Sequence, residues 1–358
     1  MAIHFHTLKV KEVKRQTAEC VSVSFEIPEA LQKDFSFTQG QNITLKKTID
    51  GEELRRSYSI CTAPFENELS VAIKKVEGGK FSTYANDELK TGDELEVLPP
   101  TGKFNTALSE TSKKNYLAIA AGSGITPVIS IIKTTLQTEP QSNFTLVFVN
   151  RNRASIIFFE ALEGLKNKYL QRFNFINLLT REKTDADIFF GRINEEKLNQ
   201  LGKLVDYNNQ DEFFVCGPEE MIFCVKDFLE ARGIDKKKIH FELFTTPGAN
   251  KQKGKEAKGQ GDKKIKSTIE IKLDGRTVDF PMGFDSGSIL DEALKQGADL
   301  PFACKGGVCC TCKAKLIEGK VEMDVHWGLE EEEIKQGFIL TCQSHPVTEK
   351  VVIDFDIR

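Results

Sequence analysis

Four cysteines towards the end of the chain stand at a spacing that can do chemistry. Cys304, Cys309 and Cys312 follow the pattern C-x4-C-x2-C, and Cys342 answers them further on. That is the spacing at which four thiolates enclose a 2Fe-2S cluster, a centre that moves single electrons. A loop supplying three of the four ligands has to wrap tightly, and Gly306 and Gly307 supply the freedom to do so. Cys310, inside the same loop, is read as a bystander. The rival is a structural zinc site, which usually shows two C-x2-C pairs; only one such pair occurs here. The rest of the chain must then be read for a source of electrons.

Two stretches among the first hundred residues carry groups suited to a flavin. Arg55-Arg56-Ser57-Tyr58-Ser59-Ile60 reads as a strand that sets a guanidinium, an aromatic ring and a hydroxyl at alternate positions, on one shared face. Arginine suits a diphosphate, the ring can stack on a flavin, and the hydroxyl can stand near its reactive edge. Glu77-Gly78-Gly79-Lys80-Phe81-Ser82-Thr83 reads as a glycine turn running into a helix start at Tyr84, whose free N–H groups would bind phosphate. Alone, the first is an ordinary strand and the second a plain hairpin; what counts is that both occur in order, about twenty residues apart, and that Pro99-Pro100-Thr101-Gly102-Lys103-Phe104 follows. The elements that must hold them are short alternating segments such as 21–27, 42–45 and 69–73, broken by Asp50-Gly51 and Thr91-Gly92-Asp93. This patterning predicts an antiparallel barrel.

After Phe104 the period changes. Tyr116–Ala120 is a continuous apolar run, and Ala121-Gly122-Ser123-Gly124-Ile125-Thr126-Pro127 turns it into an apolar helix beginning about Val128. A strand, glycine turn and helix make half of a doubly wound nucleotide fold, although the third glycine of G-x-G-x-x-G is missing. Further strands are expected at 144–149, leading into Arg151 and Arg153, at 173–179, ending before Arg181, and at 212–216, joined through Gly217, Pro218, Glu219 and Met221 to an amphipathic helix. Ligands bind at strand ends in such sheets, and arginines there suit the 2′-phosphate that separates NADPH from NADH. The bland alternative is that they are solvated loop arginines. Arg153 and Arg181 are favoured for this role, and Arg151 less so. Cys216 is otherwise a small core residue, as Cys20, Cys61 and Cys224 are taken to be.

Composition sets the frame. The chain has 358 residues, 40% of them hydrophobic and 28% charged, which suits two or three globular domains. No N-terminal leader pattern and no run of eighteen apolar residues is seen, so a cytoplasmic protein without a membrane partner is expected. Nine cysteines, an odd number, suit a metal site in a reducing compartment. From Gly248 to Ser267 lie seven lysines and four glycines against Glu256 and Asp262, a composition that cannot form a core. The stretch is read as a solvated tether and not as a nucleic-acid site. From Thr268 onwards ten Lys and Arg face seventeen Asp and Glu, a net charge of −7. There, alternation at 268–273, the Asp274-Gly275 turn, and a helix capped by Ser288 form the strand, hairpin and helix order of a β-grasp fold. Glu330 to Glu333 start a second helix and can steer a partner, although such a run is more often only solvated.

The combination of R-x-Y-S, a glycine-serine turn and a P-x-G-x-F close resembles the flavin domain of the ferredoxin-NADP reductase superfamily. The G-x-G-I-T-P turn and Cys-Gly-Pro-x-x-Met element resemble its nucleotide domain, and residues 268 onwards resemble plant-type ferredoxins. The resemblance covers essentially the whole chain and extends to the reductase components of bacterial multicomponent oxygenases, those of phenylacetate degradation above all. It implies a multidomain protein: an antiparallel β-barrel flavin domain at 1–106, an α/β nucleotide-binding domain at 107–246, a flexible linker at 247–266 and an α+β (β-grasp) 2Fe-2S ferredoxin domain at 267–358. It further implies that Arg56, Tyr58 and Ser59 contact the flavin, that Lys80, Phe81, Ser82 and Thr83 cradle its diphosphate, and that Gly122, Gly124 and Thr126 approach the dinucleotide. Cys216, Gly217, Pro218, Glu219 and Met221 would lie by the nicotinamide, with Tyr58, Ser59 and Cys216 nearest the reaction. A diphosphate implies FAD, although one branch of the superfamily uses FMN. The implied activity is hydride transfer from NADPH to the flavin, then single electrons through the cluster to a protein acceptor such as an oxygenase component. A ring-hydroxylating dioxygenase, a desaturase or a hybrid-cluster protein as acceptor, or a redox sensor without turnover, stands as the alternative.

Overall fold

A computed structural model of the chain describes residues 4–244, 266–283 and 286–357. The stretch expected as a linker, 247–266, lies outside the described residues except for Lys266. The chain forms two compact units, one made of Thr7–Leu54 and Tyr58–Phe244 and one that holds the C-terminal region.

The first unit opens with strands β1 (His6–Thr17), β2 (Cys20–Glu26), β3 (Asn42–Ile49), β4 (Glu52–Ser59) and β5 (Leu69–Lys74), helix α1 (Lys80–Asp87) and strand β6 (Glu94–Val97). They form one sheet in the order β4-β3-β6-β1-β2-β5. An antiparallel bridge between Ile60, just past β4, and Val71 in β5 brings the two edges together, so the sheet closes on itself as the alternating pattern predicts. Alternation is visible in β1, where Leu8 and Val10 are buried between exposed neighbours. With Val23, Ile43, Leu45, Val71 and Ile73 they fill the barrel, and α1 adds Phe81 and Ala85 to the same core. Each such fully buried aliphatic or aromatic side chain contributes about 1.5–3 kcal/mol. The Asp50-Gly51 turn between β3 and β4 has both residues at positive φ, 52° and 75°, as a two-residue hairpin requires.

The same unit continues with β7 (Asn115–Ala121), α2 (Ile125–Thr138), β8 (Asn143–Asn150), α3 (Phe159–Lys168), β9 (Phe173–Leu179), α4 (Glu195–Leu201), β10 (Glu212–Gly217), α5 (Glu219–Glu230) and β11 (Ile239–Leu243). Their sheet runs β11-β10-β7-β8-β9 and every pairing in it is parallel. Parallel strands covered on both faces must be apolar throughout, and Leu117–Ala120 and Leu146–Val149 are buried without interruption. The chain order changes direction between β7 and β10, which makes that gap the switch point. The helix after the glycine turn starts at Ile125, three residues before the expected start, because a short 3-10 turn at Gly122–Gly124 feeds directly into it.

Two polar clusters, one buried and one half-buried, pin the sheet. Glu139, fully buried, accepts from Tyr116 Oη at 2.9 Å, from Ser142 Oγ at 2.7 Å and from the Ser109 amide at 3.0 Å. Glu212, at the start of β10, holds His240 Nε2 at 2.9 Å and Lys114 Nζ at 3.0 Å. His240 is also stacked on Phe214, with ring centroids 5.0 Å apart.

The second unit contains β12 (Lys266–Leu273), β13 (Arg276–Gly283), α6 (Ile289–Lys295), β14 (Lys313–Glu318), β15 (Val321–Met323), α7 (Glu331–Lys335), β16 (Phe338–Leu340), β17 (Ser344–Pro346) and β18 (Lys350–Asp354). Five strands run β13-β12-β18-β14-β16, with β12 parallel to β18 and the other pairs antiparallel, while β15 and β17 form a small separate ribbon. Ser288 caps α6 by accepting the Asp291 amide, as read from the sequence. Ile269, Ile271, Leu290, Ala314, Val351 and Ile353 form the core of this β-grasp fold.

One consequence is pH-dependent. Burial acts to raise the Glu212 pKa, but the hydrogen bonds from His240 and Lys114 outweigh it and leave the carboxyl below its ordinary 4.5. A lowered carboxyl stabilises the fold above its unfolded pKa, and that contribution is lost as pH falls through the folded value. Thermal midpoints measured from pH 7 downwards should show wild type more stable than Glu212→Gln at neutral pH, with the margin shrinking below about 4.5.

Candidate functional site

The barrel positions its site residues on β4 and α1. Arg56 and Tyr58 stand two apart on β4 and share a face, whereas Ser59, one residue on, falls off it: strand periodicity cannot put all three on one side. Ser59 is buried at 3% exposure, and its Oγ donates to Glu242 Oε2 at 2.8 Å. The Tyr58 ring lies 5.8 Å from that of Phe81 in α1, so the strand and the glycine turn meet.

Helix α1 begins at Lys80, directly after Gly79, so Lys80, Phe81, Ser82 and Thr83 form its first turn and not a loop before it. Gly79 is the N-cap and provides no side-chain oxygen, which leaves the first helical amides for another acceptor. A Cβ on Gly79 would lie 2.7 Å from Ser82 Oγ, so only glycine leaves this cradle open. The Ser82 hydroxyl itself closes the loop, accepting from the Val76 amide at 3.1 Å and donating to the Gly79 carbonyl at 3.0 Å. Lys80 pairs with Glu52 at 2.5 Å. A bare helix N-terminus with a lysine beside it fits a diphosphate.

At the switch point the glycine turn presses against the end of β10. A Cβ on Gly124 would stand 2.1 Å from the Cys216 carbonyl oxygen, so no other residue fits there. Thr126, 2% exposed, ties the turn by donating to the Ser123 carbonyl at 3.0 Å. Cys216 is fully buried and pairs in register with Glu242 on β11. Burial, with the nearby Glu242 charge, pushes its thiol well above the ordinary range, so the sulfur stays protonated and is no nucleophile. Ser59, Cys216 and Glu242 thus come together from three strands. Pro218 caps α5, Glu219 is exposed in its first turn, and Met221 packs its methyl group against Gly217.

Two groups escaped the sequence reading. Glu242 stands in an unremarkable alternating strand, and only the register of β11 brings its carboxylate to Ser59. Lys74, the last residue of β5, places Nζ 3.7 Å from where a Cβ on Gly122 would be, a cation beside the glycine turn. The bare glycine turn and this ammonium fit a dinucleotide's phosphates.

Arg151, Arg153 and Arg181 are all exposed at the ends of β8 and β9, and the structure brings those ends together through Thr180 N to Asn150 O at 2.9 Å and Arg181 N to Arg151 O at 2.8 Å. The Arg153 guanidinium lies 5.5 Å from the Phe159 ring centroid.

In the second unit the four cysteines meet in pairs: the Cys304 and Cys309 thiols are hydrogen-bonded to each other, and so are those of Cys312 and Cys342. Within each pair one thiol is acidified: the bond from Cys304 draws Cys309 down to about 6, and the bond from Cys312 lowers Cys342. Backbone amides also face the sulfurs, Gly306 N to Cys304 Sγ at 3.3 Å and Cys304 N to Cys309 Sγ at 3.5 Å. Positive φ at Lys305, Gly307 and Cys310 (49°, 74° and 56°) winds the loop around them. Among the described residues no three His, Cys, Asp or Glu are set to hold one metal ion. Thiols paired two by two, with amides donating to sulfur, fit a centre of two irons with two thiolates on each. Cys310 turns its sulfur to the Gly328 carbonyl instead. Cys309→Ser should therefore lose the iron-sulfur absorbance of the purified protein, whereas Cys310→Ser should keep it, as visible spectra and iron content will show.

Comparison with known proteins agrees with this layout. Family models match an oxidoreductase FAD-binding domain at residues 7–106, an oxidoreductase NAD-binding domain at 118–227 and a 2Fe-2S iron-sulfur cluster binding domain at 271–347. The chain is 45% identical to a subunit of the 1,2-phenylacetyl-CoA epoxidase of Escherichia coli (strain K12), over 99% of this chain and 98% of that one. It is 33% identical to the ferredoxin reductase component of 3-ketosteroid-9-alpha-monooxygenase of Rhodococcus rhodochrous, over 97% and 96%. Among solved structures, phthalate dioxygenase reductase shares the fold with a TM-score of 0.59 at 20% identity, covering 98% of both chains. With three cofactor domains in this order and close relatives along its whole length, the chain belongs to the family of modular FAD- and 2Fe-2S-containing electron-transfer reductases.

Proposed function

We propose that this protein takes electrons from NADPH and delivers them to the oxygenase component of a phenylacetyl-CoA epoxidase. The observation that carries the reading is the 45% identity to a phenylacetyl-CoA epoxidase subunit across 99% of the chain. Relatives serving other monooxygenases are less similar, at 33% and 29%, which favours this acceptor over a ketosteroid or glycine betaine oxygenase. FAD can accept a hydride and release its electrons singly, and the cluster carries them one at a time.

The residues divide the work accordingly. Tyr58 would offer its ring to the flavin, and Arg56 and the first turn of α1, Lys80 to Thr83, would hold the diphosphate. Gly122, Gly124 and Thr126 allow the nicotinamide nucleotide close to the backbone, with Lys74 neutralising its phosphates. Cys216, kept neutral by burial, offers a soft wall to the nicotinamide beside Gly217, Pro218, Glu219 and Met221, while Ser59 and Glu242 form a fixed hydrogen-bonded pair near the reacting edge. Arg153 and Arg181 recognise the 2′-phosphate: they are exposed, follow neighbouring strands β8 and β9, and have no carboxylate on their guanidinium groups among the described residues. Cys304, Cys309, Cys312 and Cys342 hold the cluster. In domain terms we assign 1–106 to FAD, 107–246 to the nucleotide and 267–358 to the cluster, with 247–266 as a tether. No described helix is long and apolar enough to cross a membrane, and a cytoplasmic site of action suits the free thiols.

Two measurements test the reading. NADPH added without oxygen should bleach both the flavin and the cluster absorbance of the yellow-brown protein. Cys309→Ser should still reduce its flavin but pass nothing to a phenylacetyl-CoA epoxidase oxygenase; retained oxygenase turnover would sink the assignment.

A further inference from the structure

The arginines at the ends of β8 and β9 pose an electrostatic question. Arg151, Arg153 and Arg181 stand on two neighbouring strand ends, all exposed, and the nearest acid in sequence is Glu182. An acid in such a place would ordinarily pair with a guanidinium and cancel it. Here its Oε2 accepts the backbone N–H of Arg153 at 2.8 Å instead. That bond completes a series. Thr180 N donates to Asn150 O and Arg181 N to Arg151 O, extending the β8–β9 ladder past both strands. The chain then leaves the ladder, and the Glu182 side chain supplies the acceptor that a further backbone carbonyl would have been. The turn it grips is preformed, because Asn152 Oδ1 accepts the Ser155 amide at 3.0 Å and Ser155 Oγ donates back to Asn152 O at 2.7 Å. Arg153 is therefore held at its backbone by Glu182 and at its guanidinium by the Phe159 ring.

We infer that Glu182 is a positioning residue for NADPH selectivity: by committing its carboxylate to the Arg153 amide it fixes the Arg153 turn against Arg181 and leaves both guanidinium groups available to the 2′-phosphate. The inference rests on the proposed assignment of Arg153 and Arg181 to that phosphate. Its energetic sense is pre-organisation. A bidentate or two-sided arginine clamp binds well only if the two guanidinium groups do not have to be ordered at the moment of binding. A charge-assisted bond to a backbone amide is a strong way to order them beforehand. NADH lacks the 2′-phosphate and makes no use of the clamp, so the effect is confined to one of the two nucleotides.

The test uses the full holoprotein and steady-state oxidation of NADPH and of NADH with ferricyanide as acceptor. Glu182→Ala should raise KM for NADPH about three- to tenfold, the size of one lost hydrogen bond that is exposed to solvent. It should leave kcat and the KM for NADH unchanged. Glu182→Gln, whose amide oxygen still accepts the Arg153 N–H, should restore most of the loss. Unchanged NADPH KM in Glu182→Ala, an equal rise for both nucleotides, a fall in NADPH KM, or a Gln variant as poor as Ala would each overturn the inference. Arg181→Ala separates the two levels: if it raises NADPH KM while Glu182→Ala does not, only the positioning role fails. If Arg181→Ala leaves NADPH KM as it was, the 2′-phosphate reading fails and the inference falls with it.

Discussion

The close approach of the Gly124 backbone to the end of β10 is the constraint on which the nucleotide half of the molecule depends. With the Cys216 carbonyl oxygen 2.1 Å from where a side chain would begin, α2 can start only if residue 124 has no Cβ. The contact lets the helix begin directly above the gap between β7 and β10, where the order of strands reverses. The pairing of Cys216 with Glu242 then carries the constraint to the next strand, and the Ser59 to Glu242 bond carries it on to β4. One missing side chain thereby aligns a glycine turn, a neutral thiol, a carboxylate and a hydroxyl that come from four separate segments of sequence.

Two regions of the chain solve different electrostatic problems. The ends of β8 and β9 gather positive charge in Arg151, Arg153 and Arg181, which favours an anion. The cysteine loop directs backbone amides at sulfur, which favours thiolates that stay in place. Neither arrangement adds to stability by itself. Exposed like charges repel, and the left-handed Lys305 and Cys310 cost backbone energy. The surrounding cores of aliphatic residues offset those costs.

Much of this was legible in the sequence, and the reasons differ from residue to residue. The meeting of Cys304, Cys309, Cys312 and Cys342 could be read because their spacing already implies a loop wound around one point. The glycine turns could be read because close backbone approach leaves a mark on composition. Asp50-Gly51 and Ser288 were equally plain, since each is demanded by a local turn or cap. What stayed hidden depends on register and on distance along the chain. Glu242 meets Ser59 across 183 residues, and an alternating strand gives no hint of which carboxylate will do so. The shared face expected for Arg56, Tyr58 and Ser59 failed on strand periodicity at its last member. The helix starts at Lys80 and Ile125 came earlier than expected because glycine ahead of each lets the helical turn begin at once.

The seam of the barrel has a meaning beyond closure. Strand β4, which carries Arg56, Tyr58 and Ser59, is an edge strand of its sheet, and an isolated bridge from Ile60 to Val71 joins it to the far edge. A ligand that grips β4 and α1 together binds only the closed form, and so it adds to the fold's stability in proportion to the logarithm of its concentration. The seam rests on that single isolated bridge, so a ligand that spanned β4 and α1 would help to hold the barrel closed.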